Sequence, residues 1–339
     1  MNEEVKPDVA SDGEPILDRA EAWENDTSHE HEEQGIPTVA DVNRSEMTEA
    51  SVTVEGTRTT HEQRNEAFAF GRQTLYKLLS DPRFQIRCNE AGVKPFDDSD
   101  PRYWRIFADF SRERIDAIRK QRGDKYKPED DLRLRALGLV TTTPAYLYSQ
   151  RAMYEGVEDD NQRREHLRQI SSFHYGIVEY AELFLDIRAS ELTMAILSSV
   201  NTTIADPAMH EFANQEVRGR VRGIQHELAF ADILYQTGLE FRRATASEDL
   251  SGFDYILTDG TQTEMKLDVK ASLKKMDEYT SEALISPKGQ GVFAVYSMIR
   301  DSELRNGFHI PEGLAREKAQ VLIDHLGPGA STVVARLGA

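Results

Sequence analysis

One cysteine, Cys88, stands in a chain of 339 residues. A lone thiol excludes an intramolecular disulfide, a four-cysteine zinc site and a cysteine-held iron–sulfur cluster. Any metal must then be held by oxygen or imidazole, which favours magnesium or manganese where carboxylates dominate. Long apolar runs are missing too, since none approaches the roughly 18 residues needed to cross a bilayer. Met1 is followed by acidic residues, where a secretion signal would have a basic start and an apolar stretch. The chain reads as a soluble cytoplasmic protein with no membrane contact. Also absent are a glycine-rich phosphate loop, a G-x-S-x-G elbow and a His-Glu-x-x-His pair; His226 adjoins Glu227, but position 230 is Phe230.

Lysine is scarce, with 12 against 29 arginines, yet five of the twelve fall between Lys266 and Lys288. The formal net charge of −18 is unfavourable for a protein that handles nucleic acid, so its distribution matters. Residues 1–60 hold 16 acidic and 4 basic side chains, a net of −12. Two-thirds of the excess therefore belongs to one end. This segment has few aromatics and scattered Pro, Gly, Ser and Thr, so it cannot bury enough apolar surface to offset chain ordering. We read 1–60 as a disordered acidic tail that serves as a solubilising extension. The acidic, lysine-poor composition resembles adaptation to high salt, which predicts unfolding or aggregation when salt falls to tens of millimolar.

Ordered structure is expected from Thr59, Thr60 and His61 onward. A helical pattern runs through Phe68, Phe70, Leu75, Leu78 and Leu79 and stops at Asp81-Pro82. A second starts at Asp100-Pro101, with aspartate at the cap and proline in the first turn, and carries Trp104, Phe107, Phe110, Ile115 and Ile118. Two more cover roughly 128–155 and 160–200, making 61–205 an all-helical region. Its cations, among them Arg112, Arg114, Arg119, Lys120 and Arg122, are read as a solvated face paired with carboxylates such as Glu113 and Asp116. The scattered His61, His166, His174 and His309 are read as surface or satisfied core residues.

Residues 206–339 read as a separate domain. Asp206-Pro207 opens a long helix ending at Gly238. The period then changes: 239–244, 253–258, 264–271 and 292–298 are short runs rich in β-branched and aromatic residues between turn signals. Helical spacing returns at 312–326, and 332–337 supplies a last strand. The fold class is α+β or α/β, a mixed-sheet domain preceded by helices and a tail.

In 264–271, Met265, Leu267 and Val269 point one way and Lys266, Asp268 and Lys270 the other. Asp268 and Lys270 thus share a face, roughly 7 Å apart along the strand. Asp254 opens the preceding strand, and the Asp259-Gly260 turn pairs the two strands directly, bringing Asp254 toward the Asp268 end. Glu227 falls on the face of its helix that carries Ile224, Leu228, Ala231 and Leu234, where a charge needs a partner or a metal. A structural pair with Arg220 or Arg222 would also account for it. Glu264 and Lys266 form a competing acid-x-lysine register on the same strand face. Asp268 and Lys270 are preferred because Leu267, Val269 and Ala271 flank them like a buried strand centre.

Glu227 on a helix, Asp254 on one strand and Asp268-Val269-Lys270 on the next resemble the PD-(D/E)XK nuclease superfamily, the restriction-endonuclease-like fold, over about 210–339. Phe253 stands where the family pattern has proline. The resemblance implies a mixed sheet flanked by helices, a Mg2+ or Mn2+ cofactor on Asp254, Asp268 and Glu227, and Lys270 near the attacking water. It implies hydrolysis of phosphodiester bonds in DNA, leaving a 5′-phosphate. Lys274, Lys275, Lys288, Arg218 and Arg222 are the candidate DNA contacts, with Arg220, Arg242 and Arg243 nearby. Stacking aromatics are not interleaved among them, which favours duplex or branched DNA over single strands. Cutting both strands commonly uses two copies of such a site, hence an expected homodimer. The alternative reading is a non-catalytic DNA-binding or assembly protein that keeps the fold.

Overall fold

The computed structural model describes residues 59–122, 128–184, 187–245, 248, 252–258, 264–271, 285–289 and 292–325. Residues 1–58, and with them nearly all of the acidic tail, lie outside this set, as does the strand expected at 332–337. Among the described residues seven helices come first: α1 (His61–Leu79), α2 (Pro82–Glu90), α3 (Pro101–Arg122), α4 (Pro128–Glu155), α5 (Asp160–Leu183), α6 (Ala189–Thr203) and α7 (Pro207–Thr237). Strands β1 (Glu240–Arg243), β2 (Tyr255–Thr258), β3 (Glu264–Lys270), β4 (Ile285–Gly289) and β5 (Val292–Tyr296) follow, then α8 (Asp301–Leu304) and α9 (Glu312–His325). The class is α+β, with one five-stranded sheet. Among the described residues no helix is long and apolar enough to cross a membrane.

Local chemistry sets the helix starts. Thr60 accepts from the Gln63 N–H while the Gln63 side chain accepts from the Thr60 N–H, a reciprocal cap on α1. Asp81, Asp159 and Asp206 cap α2, α5 and α7 by accepting from the Arg83, Gln162 and Ala208 amides, and Asp100 accepts from the Arg102 amide at the start of α3. At Asp81-Pro82 the sequence signal has a second meaning. It ends α1 and also begins α2, with proline at a position whose amide would have no intrahelical acceptor. Sequence reasoning therefore missed α2.

The expected helix over 160–200 is two helices. Phe184 leaves the helical region of backbone space (φ −120°, ψ 76°), and Phe184 and Ile187 both turn into the core. No glycine or proline marks the break. The following Arg188 provides no side-chain cap for α6. Asn306 substitutes from across the chain: its backbone oxygen accepts from the Ala189 amide at 2.8 Å, and its side-chain oxygen from the Ser190 amide at 3.0 Å. To do so Asn306 holds φ 65°, which asparagine tolerates better than most residues.

Among the described residues the two largest apolar cores share α7. Met209, Ala213, Val217, Val221, Ile224 and Leu228 join the helical core that contains Phe84, Trp104, Phe107 and Tyr146. Ala229, Phe230, Ala231, Ile233 and Leu234 join the second core with Tyr255, Leu257, Leu267 and Val295 from the sheet and Ala315, Ala319 and Leu322 from α9. Gly238 closes α7 at φ 72°, the left-handed conformation expected of it.

In the sheet, the order is β1-β2-β3-β5-β4. β2 runs antiparallel to β1 and β3, and β3 runs parallel to β5. β4 was not anticipated; it pairs antiparallel with β5 at the sheet edge, with a register shift between Pro287 and Gly289. Proline at an edge strand costs no interior ladder bond, so Pro287 is tolerated there.

Candidate active site

β3 is the central strand, and its two faces differ. Leu267 is buried in the core beneath α7 and α9, with Met265 and Val269 packed against that core. The alternate residues Lys266, Asp268 and Lys270 therefore take the opposite face. Asp268 is only 6% exposed, and the Lys270 Nζ lies 3.0 Å from its Oδ2. The rival register sits elsewhere. Glu264 is about half exposed and lies 4.0 Å from Arg242, and the Lys266 ammonium stands 5.0 Å from the centre of the Phe253 ring.

The β2/β3 register ends at the pair Tyr255 and Leu267, which leaves Asp254 just before β2 and Asp268 just past the last β3 residue paired with β2. Beyond that pair the ladder becomes irregular. The Asp254 amide donates to the Leu267 carbonyl at 2.7 Å, and its carboxylate Oδ2 accepts from the Val269 amide at 2.6 Å. A side-chain oxygen here takes the place that a strand carbonyl would otherwise fill, which satisfies a β3 amide on its β2 side. Gly252, at φ 79°, supplies the turn that brings the chain into this position. Asp254, Asp268 and Lys270 are thus gathered at one end of the β2/β3 pair.

Glu227 is buried, as its helix phase requires, but its side chain serves another cluster. Its Oε2 lies 3.2 Å from His174 Nε2 on α5, and its Oε1 lies 3.5 Å from Arg243 Nε on β1. The Tyr255 hydroxyl donates to the Glu227 backbone oxygen at 3.0 Å, and Arg243 reaches Glu182 at 2.7 Å and the Tyr255 hydroxyl at 3.2 Å. Burial pushes the Glu227 carboxyl up, but the His174 imidazole and the Arg243 and Arg220 guanidiniums outweigh it and leave its pKa below the ordinary 4.5. Burial pushes the Tyr255 phenol well up. The pairing partners are His174 and Arg243; Arg220 acts at longer range, and Arg222 binds Asp301 at 3.0 Å instead. Sequence reasoning read His174 as a surface or satisfied core residue; it is buried and paired, and what was not named is its partner Glu227. The available signal was its place between Phe173 and Ile177 on an apolar helix face, where an imidazole requires a polar partner.

The candidate DNA contacts whose side chains are described, Arg218 and Arg222, are engaged with the protein itself. Arg218 donates to Asn214 at 2.8 Å, and Arg242 binds Glu248 through two contacts of 2.7 Å. Glu248 is pulled down to about 2, chiefly by that guanidinium. Lys288 lies in β4, and Lys274 and Lys275 lie outside the described residues. In the helical region, Arg112 pairs with Asp109 and Arg119 with Asp116, while Glu113 is taken by Arg87. Among the described residues no group of three or more His, Cys, Asp and Glu side chains is placed to hold a metal ion. Asp254 and Asp268 are the two carboxylates at this strand end, and a metal held there would have oxygen donors only, the donor chemistry of magnesium. Comparison with known protein families, with curated proteins and with solved structures finds no match.

Proposed function

We propose that the chain is a divalent-metal-dependent nuclease that hydrolyses phosphodiester bonds in DNA, with a PD-(D/E)XK-like site at the β2/β3 junction. The observation that carries the reading is that Asp254 bonds to the β3 backbone on either side of Asp268, at the Leu267 carbonyl and the Val269 amide, with the Lys270 ammonium 3.0 Å from the Asp268 carboxylate. The order of long helix, antiparallel strand pair and parallel neighbour to the acid-x-lysine strand supports it.

On this reading Asp254 and Asp268, with the Val269 carbonyl, hold Mg2+ or Mn2+. The ion supplies charge neutralisation at the phosphate and activation of water. Lys270 orients the attacking water and stabilises charge developing on the phosphate. Glu227, locked to His174 and Arg243, fixes α7 against β1 and α5 and so sets the wall behind the strands. DNA is the expected partner, duplex or branched, and a homodimer the expected assembly for cutting two strands.

A second reading, a non-catalytic DNA-binding or assembly protein, draws on one observation. The Asp254 carboxylate already accepts from the Val269 amide. One experiment separates them: supercoiled plasmid, linear duplex, branched and single-stranded DNA are incubated with the full-length protein, with and without Mg2+ or Mn2+. The nuclease reading expects metal-dependent cleavage that Asp268→Ala abolishes while the circular dichroism spectrum is unchanged. Cleavage at wild-type rate by Asp268→Ala removes the assignment. Calorimetric metal binding that survives Asp254→Ala also counts against it.

A further inference from the structure

Ser297 follows the last residue of β5, and its backbone touches the lysine while its side chain is held from behind. Its amide donates to the Lys270 carbonyl at 3.0 Å, one step beyond the final Lys270/Tyr296 pair of the parallel ladder. Its hydroxyl lies 2.9 Å from His226 Nδ1, with both residues almost wholly buried. His226 Nε2 in turn lies 3.3 Å from Asp301 Oδ1, and Arg222 closes on the other oxygen of Asp301 at 3.0 Å. The order of residues is that of a Ser-His-Asp hydrolase triad, but with the two ring nitrogens exchanged, since there the serine faces Nε2 and the aspartate holds Nδ1. Ser297 has no solvent exposure, so no substrate can reach its hydroxyl, and a nucleophilic role is excluded.

We propose that His226 is a positioning residue for Lys270, acting through Ser297. This rests on the nuclease reading of Lys270. Lys270 is the last residue of its strand, and the chain bends at Ala271. A strand end frays unless its backbone groups are tied, and fraying would swing the Cα–Cβ direction of Lys270 and move its ammonium away from Asp268. The Ser297 amide supplies the tie. The imidazole fixes Ser297 by its hydroxyl, and Asp301 fixes the ring by its far nitrogen. A displacement of about 1 Å at a reacting group costs on the order of 100-fold in rate, so a modest loosening is readable.

The test uses the full-length protein, supercoiled plasmid and Mg2+, and reads kcat and KM for Ser297→Ala, His226→Gln and His226→Asn. An asparagine amide occupies nearly the place of Nδ1, so His226→Asn keeps the group facing Ser297, whereas glutamine places its amide near Nε2. Ser297→Ala and His226→Gln are expected to lower kcat by roughly 10- to 100-fold with KM unchanged, and His226→Asn to restore most of the rate. In a Lys270→Ala background, Ser297→Ala is expected to cause no further loss. Equal losses in both backgrounds, or a thermal destabilisation that leaves kcat at the wild-type value, would overturn the inference while leaving the nuclease reading intact. A wild-type protein without metal-dependent cleavage would overturn both.

Discussion

Replacing Glu227 by glutamine keeps the volume and shape of the side chain and removes only its charge. The carboxylate is 8% exposed, and its partners His174 and Arg243 are 10% and 16% exposed, so screening by water is slight. Removing one member of a buried pair typically costs about 3–5 kcal/mol, because the remaining charge is left without compensation. Two features place this case at the low end. Arg243 keeps Glu182 and the Tyr255 hydroxyl, and its 3.5 Å approach to Glu227 is not a formed hydrogen bond. The expected loss is about 3 kcal/mol at neutral pH, a large part of the 5–15 kcal/mol typical of a folded protein. Urea unfolding of the full-length chain, followed by far-ultraviolet circular dichroism, measures it. The pH dependence gives a second check. The Glu227 pKa is lowered in the folded state, so its stabilisation is present above the ordinary value of 4.5 and is lost as pH falls through the lower folded value. The gap between wild type and Glu227→Gln should hold from neutral pH down to that range and close below it. A difference under about 1 kcal/mol at neutral pH, or a gap that persists at the acid end, would refute the argument.

Three further outcomes are expected. Glu216 accepts from the Tyr154 hydroxyl at 3.0 Å, and burial raises its pKa, so its ionised form is penalised in the folded state; Glu216→Gln should be neutral or stabilising at neutral pH, with the advantage fading as pH falls through the raised value, read by thermal melts across pH. Asn306→Ala should cost more than Asn306→Gly in urea unfolding, since both lose the side-chain cap of α6, about 1 kcal/mol, but only alanine is also strained at φ 65°. A fragment of residues 206–339 should aggregate or fail to give sharp amide resonances, because it bares the Met209, Val217, Val221 and Ile224 face of α7; a soluble, cooperatively folded fragment would contradict the shared-helix packing.

What the sequence disclosed follows from which interactions are local. Caps at Thr60, Asp100 and Asp206 are short-range, and so is the alternation that put Asp268 and Lys270 on one face of β3. The antiparallel pairing of β2 with β3 also followed from neighbouring segments. Partners distant in sequence were not legible. The bond between His174 and Glu227 spans two regions, and Asn306 caps a helix more than a hundred residues earlier. The break at Phe184 was silent because it is driven by burial of Phe184 and Ile187 and not by a helix-breaking residue. Asp254 was expected to face a metal, and its backbone-satisfying bond to Val269 could not be foreseen from strand alternation alone.

A helix of 31 residues is about 46 Å long, and α7 spends its first two-thirds in one core and the remainder in the other. It behaves as an axle with a wheel fixed at each end. A twist about its axis cannot be absorbed on one side, because ridges of side chains are seated in both. Anything that grips the helical bundle and turns it slightly therefore has a lever on β1 through Glu227 and Arg243, and on the end of β3 through His226 and Ser297. Torque, more than translation, is the motion by which the two halves can sense each other.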